Sequence, residues 1–220
     1  EEYPDGVLPV PTAIQGTAFF PGGHGLWMED SEPTFPEGGI MVLGHDFHSG
    51  EEYLKSYKRE KEDLNAPTWR NLRRLLVEAE VPLHHCFFTN FFMGLREGEA
   101  TTGPFPGRKK PDFVQRCSDF FLHQLSIQRP RAVVVLGSEV PSLIAPLAPQ
   151  LGSWLNARIG DIDRAGATRI ENVQFADDLS PCTVVSLIHP SLRHANLRYR
   201  TKALERNAHA VEVELLRSLL

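Results

Sequence analysis

Residues 132–137 read "AVVVLG", an unbroken apolar run that closes on a glycine and follows Arg129-Pro130-Arg131. A run this short, valine-rich and bounded by Pro and Gly, is the pattern of a strand buried on both faces; a half-exposed strand would alternate. The same pattern recurs in "GIMVLG" at 39–44, "CFFTN" at 86–90 and "TVVSLI" at 183–188. Helical spacing fills the intervals. "TWRNLRRLLVEAE" at 68–80 sets Trp69, Leu72, Leu75 and Leu76 on one stripe, with Thr68 as N-cap after Pro67. "PDFVQRCSDFFLHQLSIQ" at 111–128 groups Phe113, Val114, Cys117, Phe121 and Leu125. "PSLIAPLAPQL" comes after the run at 132–137, and "YRTKALERNAHAVEVELLRSLL" reads as one last helix. Strands alternating with helices predict an α/β fold, a three-layer α/β/α sandwich around a central, mostly parallel four-stranded sheet.

With 220 residues, 41% hydrophobic and 23% charged, the chain is expected to form a single domain over 1–220, in which 1–38 are a Pro/Gly-rich N-terminal arm. No apolar run approaches the ~20 residues that span a bilayer. The opening "EEYPDGVLPVP" is acidic and proline-rich, unlike a signal peptide, so no membrane association is expected. Cys86, Cys117 and Cys182 are odd in number and form no CxxC pair. That argues against a disulfide framework and for a reducing, cytoplasmic setting, nucleoid-associated in a bacterium. The net charge of -5 means that a nucleic-acid partner would have to be met by a local basic patch. A monomer is expected.

In open parallel sheets ligands bind beyond the carboxyl ends of the strands. There the sequence offers Gly44-His45-Asp46-Phe47-His48, then Asn90, then Gly137-Ser138, then His189-Pro190-Ser191. Each residue alone has a plain structural explanation: Asp46 as a helix cap, Asn90 as a turn residue, His189 as a core histidine. Together they are an acid, an amide and an imidazole brought to one crevice. The acid can deprotonate a water or face a developing cation, and the imidazole can donate to an oxygen that gains charge. The amide, with donor and acceptor side by side, suits a pyrimidine edge. Such a set can break an N-glycosidic bond.

The ordered stretches "VLGHDFHS", "FFTNFF", "RPRAVVVLGSEV" and "LIHPSLRHAN" resemble the uracil-DNA glycosylase superfamily, from about Gly39 to Arg200. The first resembles its water-activating loop, the last its His-Pro-Ser leucine loop, and the middle its iron–sulfur-containing bacterial branch. The resemblance implies that Asp46 is the catalytic acid and His189 the histidine that steadies the base oxyanion. Asn90 would read the base edge, in a pocket shared with Gly44, His45, Phe47 and His48. Ser191 would contact phosphate and Leu192 would be the wedge behind a flipped nucleotide. The basic run gains a use here, with Arg193, Arg198, Arg200 and Lys202 gripping phosphates and Arg108, Lys109 and Lys110 forming a second grip. The implied partner is DNA containing a deaminated base, cleaved by a monofunctional glycosylase in base excision repair.

The resemblance has gaps. Phe47-His48 stands where the best-known branch has Pro-Tyr, which leaves the preferred base open. The stacking aromatic is open among Tyr53, Tyr57 and Phe47. Of the four cysteines of the iron–sulfur branch only Cys117 is matched, and Gly94 stands where another would be, so no cluster, cofactor or metal is expected. Two other classes remain: a catalytically silent binder of damaged bases or nucleic acid, and a metal-dependent hydrolase using His45, Asp46 and His48.

Overall fold

The structure, a computed structural model, describes residues 3–11, 37–59 and 63–220. Most of the arm expected over 1–38 lies outside the described residues. In chain order the elements are β1 (Val7–Leu8), β2 (Ile40–Gly44), α1 (Gly50–Arg59), α2 (Pro67–Glu78), β3 (Cys86–Asn90), β4 (Leu95–Arg96) and α3 (Pro111–Gln128). The chain continues through β5 (Ala132–Leu136), α4 (Val140–Ile144), α5 (Ile159–Arg164), β6 (Arg169–Val173), β7 (Cys182–Leu187), α6 (Arg193–Leu204) and α7 (Ala208–Arg217).

The four apolar runs are the four parallel strands, β2, β3, β5 and β7. The sheet has five strands, however, in the order β3-β2-β5-β7-β6, with β6 antiparallel at the edge. The sequence reading missed β6, and the reason is burial. "RIENV" is buried only at Val173, as an edge strand open to water should be, so it lacks the apolar run that marked the others.

Alternation along the strands divides the core. Met41, Leu43, Val133, Val135 and Val184 pack with Phe91, Phe121 and Trp154. Ile40, Val42, Val134, Leu136 and Val185 pack on the other face with Trp69, Leu72, Leu76 and Leu216. That is the three-layer α/β/α sandwich.

Three local readings change. The N-cap of α2 is Ala66, with Pro67 in the first turn, so Thr68 lies inside the helix. The prolines of "PSLIAPLAPQL" stop α4 at Ile144 and leave tight 3-10 turns over 145–147 and 149–154. The last helix is two: Glu205 turns left-handed (φ 53) after α6, and Asn207 Oδ1 accepts from Ala210 N at 3.0 Å to start α7.

β1 and β4 form a small antiparallel ribbon beside the main sheet. It packs closely on Gly94. A Cβ on Gly94 would lie 2.5 Å from Val7 Cγ1. Cys117 is buried in α3, takes the Met93 N–H at 3.5 Å, and burial pushes its thiol up to about 11.

Candidate active site

Register brings the site together. Gly44 pairs with Asn90, and Leu136 pairs with Leu187, so the residues after β2, β5 and β7 leave the sheet level with the end of β3. Gly44, Asp46, Phe47, His48, Asn90 and His189 line one cavity of about 160 Å³. Its outer wall comes from residues that the sequence did not single out as functional: Glu52, Ser56 and Arg59 on α1, Asp63, and Trp69 on α2. Of the three candidate stacking aromatics Phe47 lines the cavity. Tyr53 is buried in a small cluster with Phe47 and Leu95, and Tyr57 is half exposed and stacked on it.

Asp46 is held from several directions. Its Oδ1 accepts from the backbone N–H of His48 at 3.0 Å and from Arg96 Nε at 3.2 Å. Its Oδ2 accepts from Arg96 Nη2 and from His45 Nδ1, both at 2.7 Å. The turn over Asp46-Phe47-His48 puts His48 in the left-handed region (φ 69), a conformation that histidine tolerates better than most residues. Burial alone would push the Asp46 carboxyl up. The hydrogen bonds from His45 and Arg96 outweigh it and hold the group well below the usual carboxylate range.

Arg96 is the residue that sequence reasoning missed. It sits fifty positions from Asp46, on a two-residue strand with no periodic signal, so only the fold joins them.

His189 is neutral. Its Nδ1 lies 3.3 Å from the Ser191 backbone nitrogen, which can only donate, and 2.8 Å from Ser191 Oγ. A ring whose Nδ1 accepts carries its proton on Nε2, where it is a donor. Burial pushes the imidazole down to about 4, helped by His48 and His45 and opposed by Asp46. Gly137 (φ 88) backs the ring so closely that a Cβ there would lie 3.2 Å from His189 Cβ. The loop is pinned on both sides. Ile188 N donates to Glu212 Oε1 at 2.8 Å, and Asn71 Nδ2 donates to Pro190 O at 2.8 Å.

Residues 50–211 match the family model described as the uracil DNA glycosylase superfamily. The chain belongs to the uracil DNA glycosylase superfamily. The matched region takes in Asn90 and His189 and begins just after the Asp46 loop. No curated protein matches the chain. The family acts on DNA, and no helix among the described residues is long and apolar enough to cross a membrane.

For a superfamily member the expected phosphate grip needs correction. Arg193 and Arg200 are buried. They are seven residues apart, two helical turns, and so share the inward face of α6. Both pair with Glu212, itself fully buried; Arg193 also reaches His209 Nδ1 (2.8 Å), and Arg200 reaches Asp163 Oδ1 (3.0 Å) and Ser186 O (2.8 Å). Their charge holds α5, α6 and α7 together and is not offered to DNA. Arg198, Lys202 and Lys109 are exposed, and Leu192 is 47% exposed beside the partly buried Ser191. A second groove of about 590 Å³, lined by Ser138, Arg158, Leu192 and Asn196, meets the cavity at His189.

The correction is testable. Arg200→Ala is expected to lower unfolding free energy by about 3–5 kcal/mol, because it leaves Asp163 buried without its ion-pair partner and takes from Glu212 one of its two arginines. It should leave the salt dependence of DNA binding unchanged. Arg198→Ala should do the reverse, reducing the slope of log affinity against log salt by about one. Urea titration and binding isotherms over a salt series read the two effects separately.

The histidine cluster is arranged otherwise than a metal site. Asp46 spends its oxygens on protein donors and the His48 side chain is exposed. Among the described residues no group of His, Cys, Asp or Glu has the geometry to hold a metal ion.

Proposed function

We propose that this protein is a monofunctional DNA glycosylase that flips a deaminated base, uracil first, out of DNA and hydrolyses its N-glycosidic bond, the opening step of base excision repair. The observation that carries the reading is the meeting of Asp46, Asn90 and a neutral, Nε2-protonated His189 in one cavity. The glycosidic bond breaks with its electron pair leaving on the base. His189 Nε2–H donates to the base oxygen that gains the charge, and the Asp46 carboxylate faces the cation-like sugar. Asn90 pairs with the base edge. Water then adds its oxygen to the anomeric carbon and loses a proton. No lysine lines the cavity among the described residues, so water is favoured over an amine as the nucleophile. Leu192, exposed in the groove that meets the cavity at His189, is the wedge in this reading, with Ser191 beside it and the exposed Arg198 and Lys109 as phosphate partners. Flipping costs a few kcal/mol of unstacking, which the wedge and pocket must offset.

A second reading, a damaged-base binder without turnover, is favoured by one observation: every acceptor position of Asp46 already has a protein donor. Base release from oligonucleotides carrying uracil, hypoxanthine, xanthine or a thymine mispair, with EDTA present, decides between them. We expect free uracil to be released in EDTA. Binding to uracil DNA without release would overturn the enzyme reading in favour of the binder.

A further inference from the structure

A carboxylate can be held in a site in two ways. One leaves a lone pair toward the substrate, so that it can take a proton; the other commits every lone pair to fixed donors, so that only its charge and direction remain. About four acceptor positions are available on a carboxylate. In Asp46 all are used, and two of the donors belong to Arg96.

The guanidinium is itself saturated. Nε–H goes to Asp46 Oδ1 and one Nη2–H to Asp46 Oδ2; the remaining hydrogens go to the carbonyls of Thr102 (3.2 Å), Gly103 (2.7 Å) and Pro104 (3.1 Å). Arg96 is 3% exposed, with its guanidinium 5.5 Å from the centre of the Phe105 ring. Its backbone is equally constrained. Arg96 N donates to His48 O at 2.8 Å, Val7 is its cross-strand partner, and Ser49 bridges to it. One residue thus grips the Asp46 turn through its side chain and its main chain. Such a rigid bidentate fork is a device for direction.

We infer that Arg96 is a positioning residue of this site: it fixes the direction and the charge of Asp46, which then works as a stationary anion facing the sugar and does not take a proton from water. This rests on the glycosylase reading above. The water's proton then leaves to the departed base or to solvent. The charged and titratable groups around Asp46 are His45 and His48 on its own loop, Arg96 on β4, His189 after β7, and Glu52, Arg59 and Asp63 across the cavity. Of these, Arg96 is a buried, permanent cation bonded to both carboxylate oxygens.

The experiment pairs an activity readout with one that needs no activity. In Arg96→Lys the charge stays and the fork is lost. The single-turnover rate on uracil DNA should fall at least about tenfold, with the dissociation constant of the DNA unchanged within about twofold. In parallel, the Asp46 side-chain carboxyl carbon is titrated by NMR. In the wild type it should keep the shift of an ionised carboxylate across the accessible acid range; in Arg96→Gln its midpoint should rise by about 1–3 pH units. A wild-type Asp46 that titrates like an ordinary aspartate overturns the inference, even if the variants fail to fold. So does an Arg96→Lys protein that keeps the wild-type rate. If the wild type releases no base from any oligonucleotide, the glycosylase reading fails by itself, and the titration still judges Arg96.

Discussion

His189→Ala should slow the chemical step on every cleavable base by about a hundredfold to a thousandfold, roughly 2.7–4 kcal/mol, the loss expected when one donor to a developing oxyanion is removed. The donor is the Nε2–H that remains once Nδ1 is engaged by Ser191. Binding of uracil DNA should change little, because the ring donates to charge that forms only as the bond breaks. Single-turnover rates at saturating enzyme separate the two effects; a variant with an unchanged rate and weakened binding would remove His189 from the chemistry. The same histidine makes a pH prediction. It ionises at about 4 when folded against an ordinary 6.5, so the unfolded chain binds its proton first. His189 therefore lowers stability progressively as the pH falls from 6.5 to about 4, and its neutral, donating form persists across that window. The rate should show no loss attributable to His189 until the pH nears 4.

Asp46→Asn should reduce the rate at least about a hundredfold, the size associated with a positioned acid–base or electrostatic group. The fold adds a second consequence. Arg96 would be left as a buried cation without its anion, at a cost of about 3–5 kcal/mol in stability. Thermal unfolding should therefore be followed beside the rate, and the rate taken only on folded protein. DNA affinity should hold or rise, since a negative charge near a polyanion is lost. Wild-type turnover in the folded variant would refute the role. Stability changes with pH in the same direction as for His189, falling on acidification, but in a lower window. The Asp46 carboxyl is held below its ordinary 3.8, so its contribution to stability is complete above that pH and is lost only as the pH falls further, through the folded value.

The two residues differ in how far the sequence foretold them. A histidine after a buried strand, locked by a proline with a serine just beyond, carries its own partner two residues away, and the fold uses that partner. Asp46 was legible as an acid at a strand end, and His45 and His48 beside it are short-range donors. Arg96, which sets its state, was not legible, because its partner is defined by β4 docking against β1 and the Asp46 turn.

The sequence by itself determined the four parallel strands, their alternating faces and the set of groups that leave their carboxyl ends. Burial on both faces demands apolar runs, and the direction of a strand dictates which residues emerge at its carboxyl end. Only the tertiary structure decided what each charge does. Arg193 and Arg198 are both basic residues of α6 after the His-Pro-Ser turn, yet one is neutralised by Glu212 from α7 and the other faces water. Helical phase puts them on different faces, but whether the inward face meets apolar side chains or a buried acid depends on which helix packs there. The closure of Arg96 on Asp46 was likewise decided by the fold: the two residues are fifty positions apart in the chain and adjacent only when it is folded.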